Sequence, residues 1–210
     1  MRLRSSRPVA VALTAAAGLA VALLAAACSQ ATRSGPDTAT ARSRAAGTAG
    51  FGWLRARPAP AGWARAGLPG QAAVLWYPRW LVRQQGDAGT VTEGLVSPAG
   101  AVQVYLNVTP RQGGETLAAW DRFRVAHLRE DGDTAVRLDA RSPDVAFRGG
   151  RGRCVIDDYT TRVGANRYRE IACCVQAGRG GSVLVAATRA AGWGAYGGVL
   201  EKVISAYQAG

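Results

Sequence analysis

The sequence predicts an α+β domain, a mostly antiparallel sheet with helices packed on it. Three observations carry that expectation. Short apolar runs, alternating or continuous, recur between Ala73 and Thr188 and are bounded by Gly, Pro, Asn or Asp, which is strand and turn chemistry. Two stretches, 115–130 and 195–208, repeat their apolar residues every three or four positions instead, the period of a helix. The order is several strands, a helix, a hairpin, a strand and a last helix, which favours a sheet with helices laid on it.

Taken in order, Pro58 to Gly70 is dense in Pro, Gly and Ala around Trp53 and Trp63. It reads as an irregular entry segment with aromatic plugs. Ala73 to Tyr77 is a first strand, broken by Pro78. Trp80 to Gln84 and Thr90 to Val96 are weaker strands. In Ala101 to Thr109, Val102, Val104, Leu106 and Val108 alternate with Gln103, Tyr105 and Asn107, a strand with one buried face. Gly113-Gly114 ends it. Glu115 to Glu130 is helical, with Leu117, Trp120, Phe123, His127 and Leu128 on one side. Asp131-Gly132-Asp133 stops it.

Short strands follow around Val136 to Leu138 and Val145 to Phe147. Cys154 to Thr161 and Arg167 to Gln176 flank Gly164-Ala165-Asn166 and read as a hairpin. Ser182 to Thr188 is apolar on both sides and should be a central strand covered twice. The last helix, about Ala195 to Gln208, has an apolar stripe of Tyr196, Val199, Leu200, Val203, Ile204 and Tyr207.

This arrangement resembles the PsbP-like α/β/α sandwich. The resemblance rests on Pro60-Ala61-Gly62-Trp63 before the first strand and on the Leu117 to Leu128 helix after a meander. It rests also on Ser182 to Thr188 leading through Trp193 into Leu200-Glu201-Lys202-Val203-Ile204-Ser205-Ala206-Tyr207. It covers most of residues 58–208 as a pattern of elements and carries over no functional residue. The resemblance implies a binding or assembly factor more than an enzyme.

The N-terminus carries a separate message. Arg2, Arg4 and Arg7 precede an uncharged run from Val9 to Ala27, and Cys28 follows three alanines. That order is an export signal. Leu24-Ala25-Ala26-Ala27-Cys28 resembles the lipobox of bacterial lipoproteins, with Ala25 where Leu is usual. The resemblance implies cleavage before Cys28, lipid on its thiol and a mature chain beginning there. A simply secreted chain and an uncleaved anchor are the alternatives; the run is about long enough to span a bilayer, which takes roughly 20 residues, but its alanines bury little surface. Each places the rest of the chain outside the cytoplasm. Ser29 to Gly50 has no aromatic, Ile, Leu or Val and cannot order itself by burial; it is a tether reaching on the order of 25 Å. The expected domains are thus a signal peptide, 1–27, a lipidated tether, 28–50, and one α+β domain, 51–210.

The formal net charge is +12, with Lys+Arg 26 against Asp+Glu 14, and Lys202 is the only lysine. Attraction to acidic phospholipid or a wall polyanion is one reading; an Arg-rich coding bias is the other. Nucleic acid is excluded as a partner by the compartment, so Arg148-Gly149-Gly150-Arg151-Gly152-Arg153 is expected as a flexible basic loop leading into a strand.

Candidate chemistry is sparse. Gly192-Trp193-Gly194-Ala195-Tyr196-Gly197 matches a dinucleotide fingerprint, but no second strand or ribose-binding acid can follow before Gly210. The glycines are expected to let the chain turn tightly into the helix, and no cofactor is expected. With Cys28 set aside, Cys154, Cys173 and Cys174 remain. A turn centred on Gly164-Ala165 places Cys154 opposite Val175, on the face of Cys173, so a Cys154–Cys173 disulfide is expected; a one-residue shift would favour Cys174. Three cysteines and one histidine lack zinc spacing, so no metal is expected. His127 is the only histidine and is expected as a packed core or boundary residue. Asp157 and Asp158 should point apart, and Glu170 beside Arg167 and Arg169 should form surface ion pairs. Trp76, Tyr77, Arg79, Trp80 and Arg83 are a candidate amphipathic binding patch, with capping of the core as the alternative. The expected function is therefore a non-enzymatic envelope lipoprotein, held to the membrane by lipid, whose partner is an anionic lipid, a wall polymer or an envelope protein. The alternative is an exported hydrolase or thiol enzyme using His127 with Cys174 or a serine.

Overall fold

The computed structural model describes residues 50–178 and 180–210; the signal peptide, Cys28 and the tether up to residue 49 lie outside them. Among the described residues, ten strands and two helices follow in chain order. The strands are β1 (Ala64–Gly67), β2 (Val74–Tyr77), β3 (Val82–Arg83), β4 (Val91–Val96), β5 (Val102–Pro110), β6 (Thr134–Arg141), β7 (Val145–Phe147), β8 (Gly150–Thr160), β9 (Arg167–Ala177) and β10 (Gly180–Arg189). Helix α1 (Trp120–Glu130) comes between β5 and β6, and α2 (Trp193–Ala206) follows β10. Each begins from a single 3₁₀ turn, Leu117–Ala119 and Ala190–Gly192. The hydroxyl of Thr116 accepts from the Ala119 N–H and caps the first.

The main sheet runs β3-β4-β5-β10-β9-β8-β6, with β7 also on the outer edge of β8, and every pairing is antiparallel. Strand β10 therefore lies in the middle, as its two-sided apolar run requires. Period two sorts the core into layers. On one face Leu106, Ile171, Cys173, Leu184 and Ala186 meet Leu200, Val203 and Ile204 of α2. On the other Val155, Ala172, Cys174, Val183, Val185 and Ala187 meet Trp120 of α1. The indole N–H of Trp120 donates to the Ala172 carbonyl at 2.9 Å and pins α1 to β9.

Several sequence expectations need correction. Residues 58–70 are not wholly irregular: after a turn at Gly62, β1 pairs with β2 as a separate two-stranded ribbon. Its sequence, Ala-Arg-Ala-Gly, has no strand propensity, and the partner supplies the pairing. The last helix stops at Ala206, because Tyr207 turns extended. Gln208 then bridges Val74 and Arg148, and Ala209 N–H donates to the Arg148 carbonyl. Tyr207 is fully buried, its hydroxyl 2.6 Å from that of Ser182.

The Arg148 to Arg153 run is not a loop from Gly150 onward; it is the start of β8. Gly149 has φ +80°, and a Cβ there would sit 2.1 Å from the Ala209 carbonyl oxygen. Close approach of residues 208–209 thus accounts for glycine at that position.

The β8–β9 turn is also longer than expected. Thr161 N–H donates to the Asn166 carbonyl, which leaves the four residues Arg162 to Ala165 as the loop. The register moves by two, so Cys154 faces Cys173 directly rather than Val175. A shift of two preserves the face.

Candidate functional site

Cys154 and Cys173 form the disulfide. Ser142 takes both backbone groups of Cys154: its hydroxyl accepts from Cys154 N–H at 2.8 Å and its own N–H donates to Cys154 C=O. Cys154 is thus in a non-hydrogen-bonded pair with Cys173, where side chains approach closest. Cys174 points to the other face, is free and fully buried, and its thiol is pushed up to about 11 by burial. A nucleophilic cysteine needs the opposite shift.

His127 lies at the rim of α1, its side chain 46% exposed, stacked on Phe123 and 3.6 Å from Asp131. It is thus an exposed residue and not the packed core or boundary histidine expected, because the buried face of α1 is turned away from it. The buried line of α1 is instead Trp120, Arg124 and Leu128.

Arg124 opens the feature that sequence reasoning missed. Its Nε donates to Glu170 Oε1 at 2.6 Å, and both side chains are withdrawn from solvent. Glu170 pairs directly across the sheet with Asp157, and both are fully buried. The expected surface ion pair of Glu170 is therefore an interior one, because α1 covers this face. Burial and the neighbouring Glu170 push Asp157 up to about 9. Burial works against the Arg124 charge, but Glu170 outweighs it and holds the guanidinium above its ordinary value. Burial, then Glu170, raises the phenol of Tyr159. Both oxygens of Asp157 and Oε2 of Glu170 lack a hydrogen-bond partner. A proton held on Asp157, with Arg124 paired to Glu170, is the arrangement that chemistry prefers.

Asp158 turns the other way, as expected. It accepts from Arg137 at 2.8 Å and Arg169 at 2.9 Å. The Arg169 guanidinium lies 5.0 Å from the Trp193 ring centre. Trp193 in turn covers Gly197, where a Cβ would come within 2.9 Å of the indole. The glycine pattern of this helix thus includes a seat for an aromatic ring within the helix, besides the turn into it.

The candidate patch divides. Trp76 is half-buried under Arg65, whose guanidinium is 5.8 Å from the ring. Tyr77 packs against the main core, and its phenol is raised by burial and by Glu93. Arg83 pairs with the buried Glu93 at 3.4 Å and donates to the Thr90 carbonyl. Arg79 is exposed and donates to the Gly62 carbonyl. Trp80 stays 44% exposed beside Tyr196, with Val82 of β3 57% exposed.

Two open grooves flank the helices. One, about 530 Å³, lies between residues 57–60 and α2, with Trp53, Glu201 and Lys202 in its lining. The other, about 600 Å³, lies between α1 and β6. Among the described residues no three of His, Cys, Asp and Glu are grouped to hold a metal, and no helix is long and apolar enough to cross a membrane.

No family model and no curated protein matches the chain. Among solved structures it is similar to the cyanobacterial PsbP (CyanoP) of Synechocystis sp. PCC 6803, with TM-score 0.53 and 14% identity over 72% of this chain and 94% of that one. It is also similar to PA94 of Pseudomonas aeruginosa, a protein of unknown function, with TM-score 0.45 and 10% identity over 68% and 94%. With its antiparallel sheet and two packed helices, the described part of the chain has a PsbP-like fold.

Proposed function

We propose that the chain is an envelope lipoprotein, anchored through Cys28, whose PsbP-like module binds or assembles with a partner and catalyses no reaction. The leader, the small residues before Cys28 and the apolar-poor tether support the anchor. One structural observation carries the non-enzymatic reading: the groups able to do chemistry are sealed or kept apart. Asp157, Glu170 and Cys174 are buried under α1, while His127 stands at the rim against Phe123 and Asp131. General acid–base or nucleophilic catalysis needs such groups within hydrogen-bond reach of one substrate atom.

Mass spectrometry of the processed protein tests the anchor, with a diacylglyceryl-modified Cys28 as the expected N-terminus. An unlipidated Cys28, or cleavage elsewhere, overturns it. Substituting His127→Ala and Cys174→Ala tests the second half. Growth and envelope phenotypes of a deletion strain should be restored by these variants as fully as by the wild type. Failure of folded His127→Ala protein to restore them returns the thiol or hydrolase reading.

A further inference from the structure

The groove between α1 and β6 is built like a receptor for anionic headgroups. Arg122, Val125, Ala126 and Arg129 recur at helical spacing and form one wall; Leu138 and Arg141 of β6 form the other. Arg122 and Arg129 are exposed, and neither is in an ion pair among the described residues. Arg141 is balanced by Asp121 at 3.0 Å, the one acid in the lining. The groove thus presents two guanidinium groups outside any ion pair, with apolar lining from Val125 on one wall and Leu138 on the other. That combination suits a phosphate attached to a glycerol and the first methylenes of an acyl chain.

A second observation concerns the point at which the chain enters the domain. Gly50, the first described residue, packs against Ala140 of β6, where a Cβ on Gly50 would come within 2.7 Å of the Ala140 side chain. Arg141, the next residue, lines the groove. The chain therefore enters the domain at the β6 edge, on the face that Ala140 and Ile156 share with α2, and the groove lies on the opposite face of the same edge.

The geometry points to this groove as the surface by which the domain lies on an acidic phospholipid membrane, with Arg122 and Arg129 on the lipid phosphates. The supply of a membrane rests on the lipid-anchor reading above; the charge of the groove does not. Docking of this kind is electrostatic, so it is salt-sensitive, and each arginine at an anionic surface contributes a factor of about 5.

The test uses the processed full chain, labelled with an environment-sensitive fluorophore at Ala126→Cys, in the groove, or at Ala99→Cys, on the β4–β5 turn. Vesicles are phosphatidylcholine alone or equal parts phosphatidylcholine and phosphatidylglycerol. The label at 126 should shift to the blue on the anionic vesicles only, lose the shift in high salt, and lose it in Arg122→Gln/Arg129→Gln, whose docking equilibrium falls by about 30-fold. Circular dichroism identical to the parent shows that the double variant is folded. The label at 99 should not respond. No shift at 126, an equal shift on neutral vesicles, or an equal shift at 99 overturns the proposal. So does a shift produced by soluble inorganic polyphosphate and by no vesicle, which assigns the groove to a wall polyanion. Sedimentation with neutral vesicles reports the anchor alone and is independent of both arginines, so loss of the anchor and loss of the groove are read separately.

Discussion

Under α2 the sheet presents Leu106, Ile171, Leu184 and the Cys154–Cys173 disulfide, and the centre of the contact is apolar, with Arg169 meeting Trp193 at one end. Under α1 the same strands β8 and β9 present Asp157 and Glu170, answered by Arg124. The first interface gains stability in proportion to the apolar area removed from water. The second spends much of its Coulomb attraction on desolvating three ionisable groups. A buried ion cluster therefore contributes little net stability, yet it tolerates few alternative positions of α1, since any shift leaves a charge without its partner. Helix α2 is held by quantity of contact and α1 by placement of charge.

The largest expected effect removes the charge that balances the acids. Arg124→Ala should cost about 3–5 kcal/mol in urea unfolding, because Glu170 is left buried and unpaired beside Asp157. Replacing the whole set, Arg124→Met with Asp157→Leu and Glu170→Met, should be neutral or stabilising by about 1–4 kcal/mol. A triple variant as unstable as the single one would mean that the interface depends on the ions for its energy and not for its geometry. On the other face, Cys154→Ala/Cys173→Ala opens a loop with a sequence separation of 19 and should cost about 3 kcal/mol, roughly 9 °C in Tm. Helix α2 and its apolar contacts remain in place, so the variant should still unfold cooperatively.

The same contrast explains what was legible in the sequence. Strand β5 and the stripe of α2 were readable from period two and period 3.6, and strand β10 from a short run apolar on both sides. The disulfide partner was readable because face parity survives a two-residue error in register. The register itself was not, since Arg162 to Ala165 makes a four-residue loop with Ala165 at φ 47°, a conformation that alanine does not advertise. Arg124 was unreadable for a different reason. Its place on the line Trp120, Arg124, Leu128 is visible at four-residue spacing, but an arginine there reads as solvated until a buried acid is known to face it. Glu170 gave no such sign, because its face also carries Gln176 and looks like the wet side of a hairpin. Coverage of both faces of the sheet, a tertiary fact, turned that polar face into an interior.

Protonation offers a gentler way to probe α1. Asp157 has its folded pKa raised from 3.8 to about 9. Between those values the folded state binds the proton and the unfolded state does not, so stability is fully present below the lower value and falls as pH rises toward the upper one. Asp157→Asn removes that dependence. Its side-chain amide also offers a donor to Glu170 Oε2, which has none. Stability at pH 7 should rise by about 1–3 kcal/mol, with a flatter Tm profile between pH 4 and 9. An unchanged slope would place the proton on a group other than Asp157.

The smallest expected effect sets the scale for the others. Arg153 and Asp144 form a salt bridge from the same strand β8, with side chains 41% and 48% exposed. It has the chemistry of the Arg124–Glu170 pair without the burial. Water already solvates both ends when either is removed, so no desolvated charge is stranded. Arg153→Ala should cost at most about 0.5 kcal/mol, or about 1 °C in Tm, and less at high salt. A cost near that of Arg124→Ala would show that position along β8, and not enclosure by α1, determines what an ion pair is worth in this sheet.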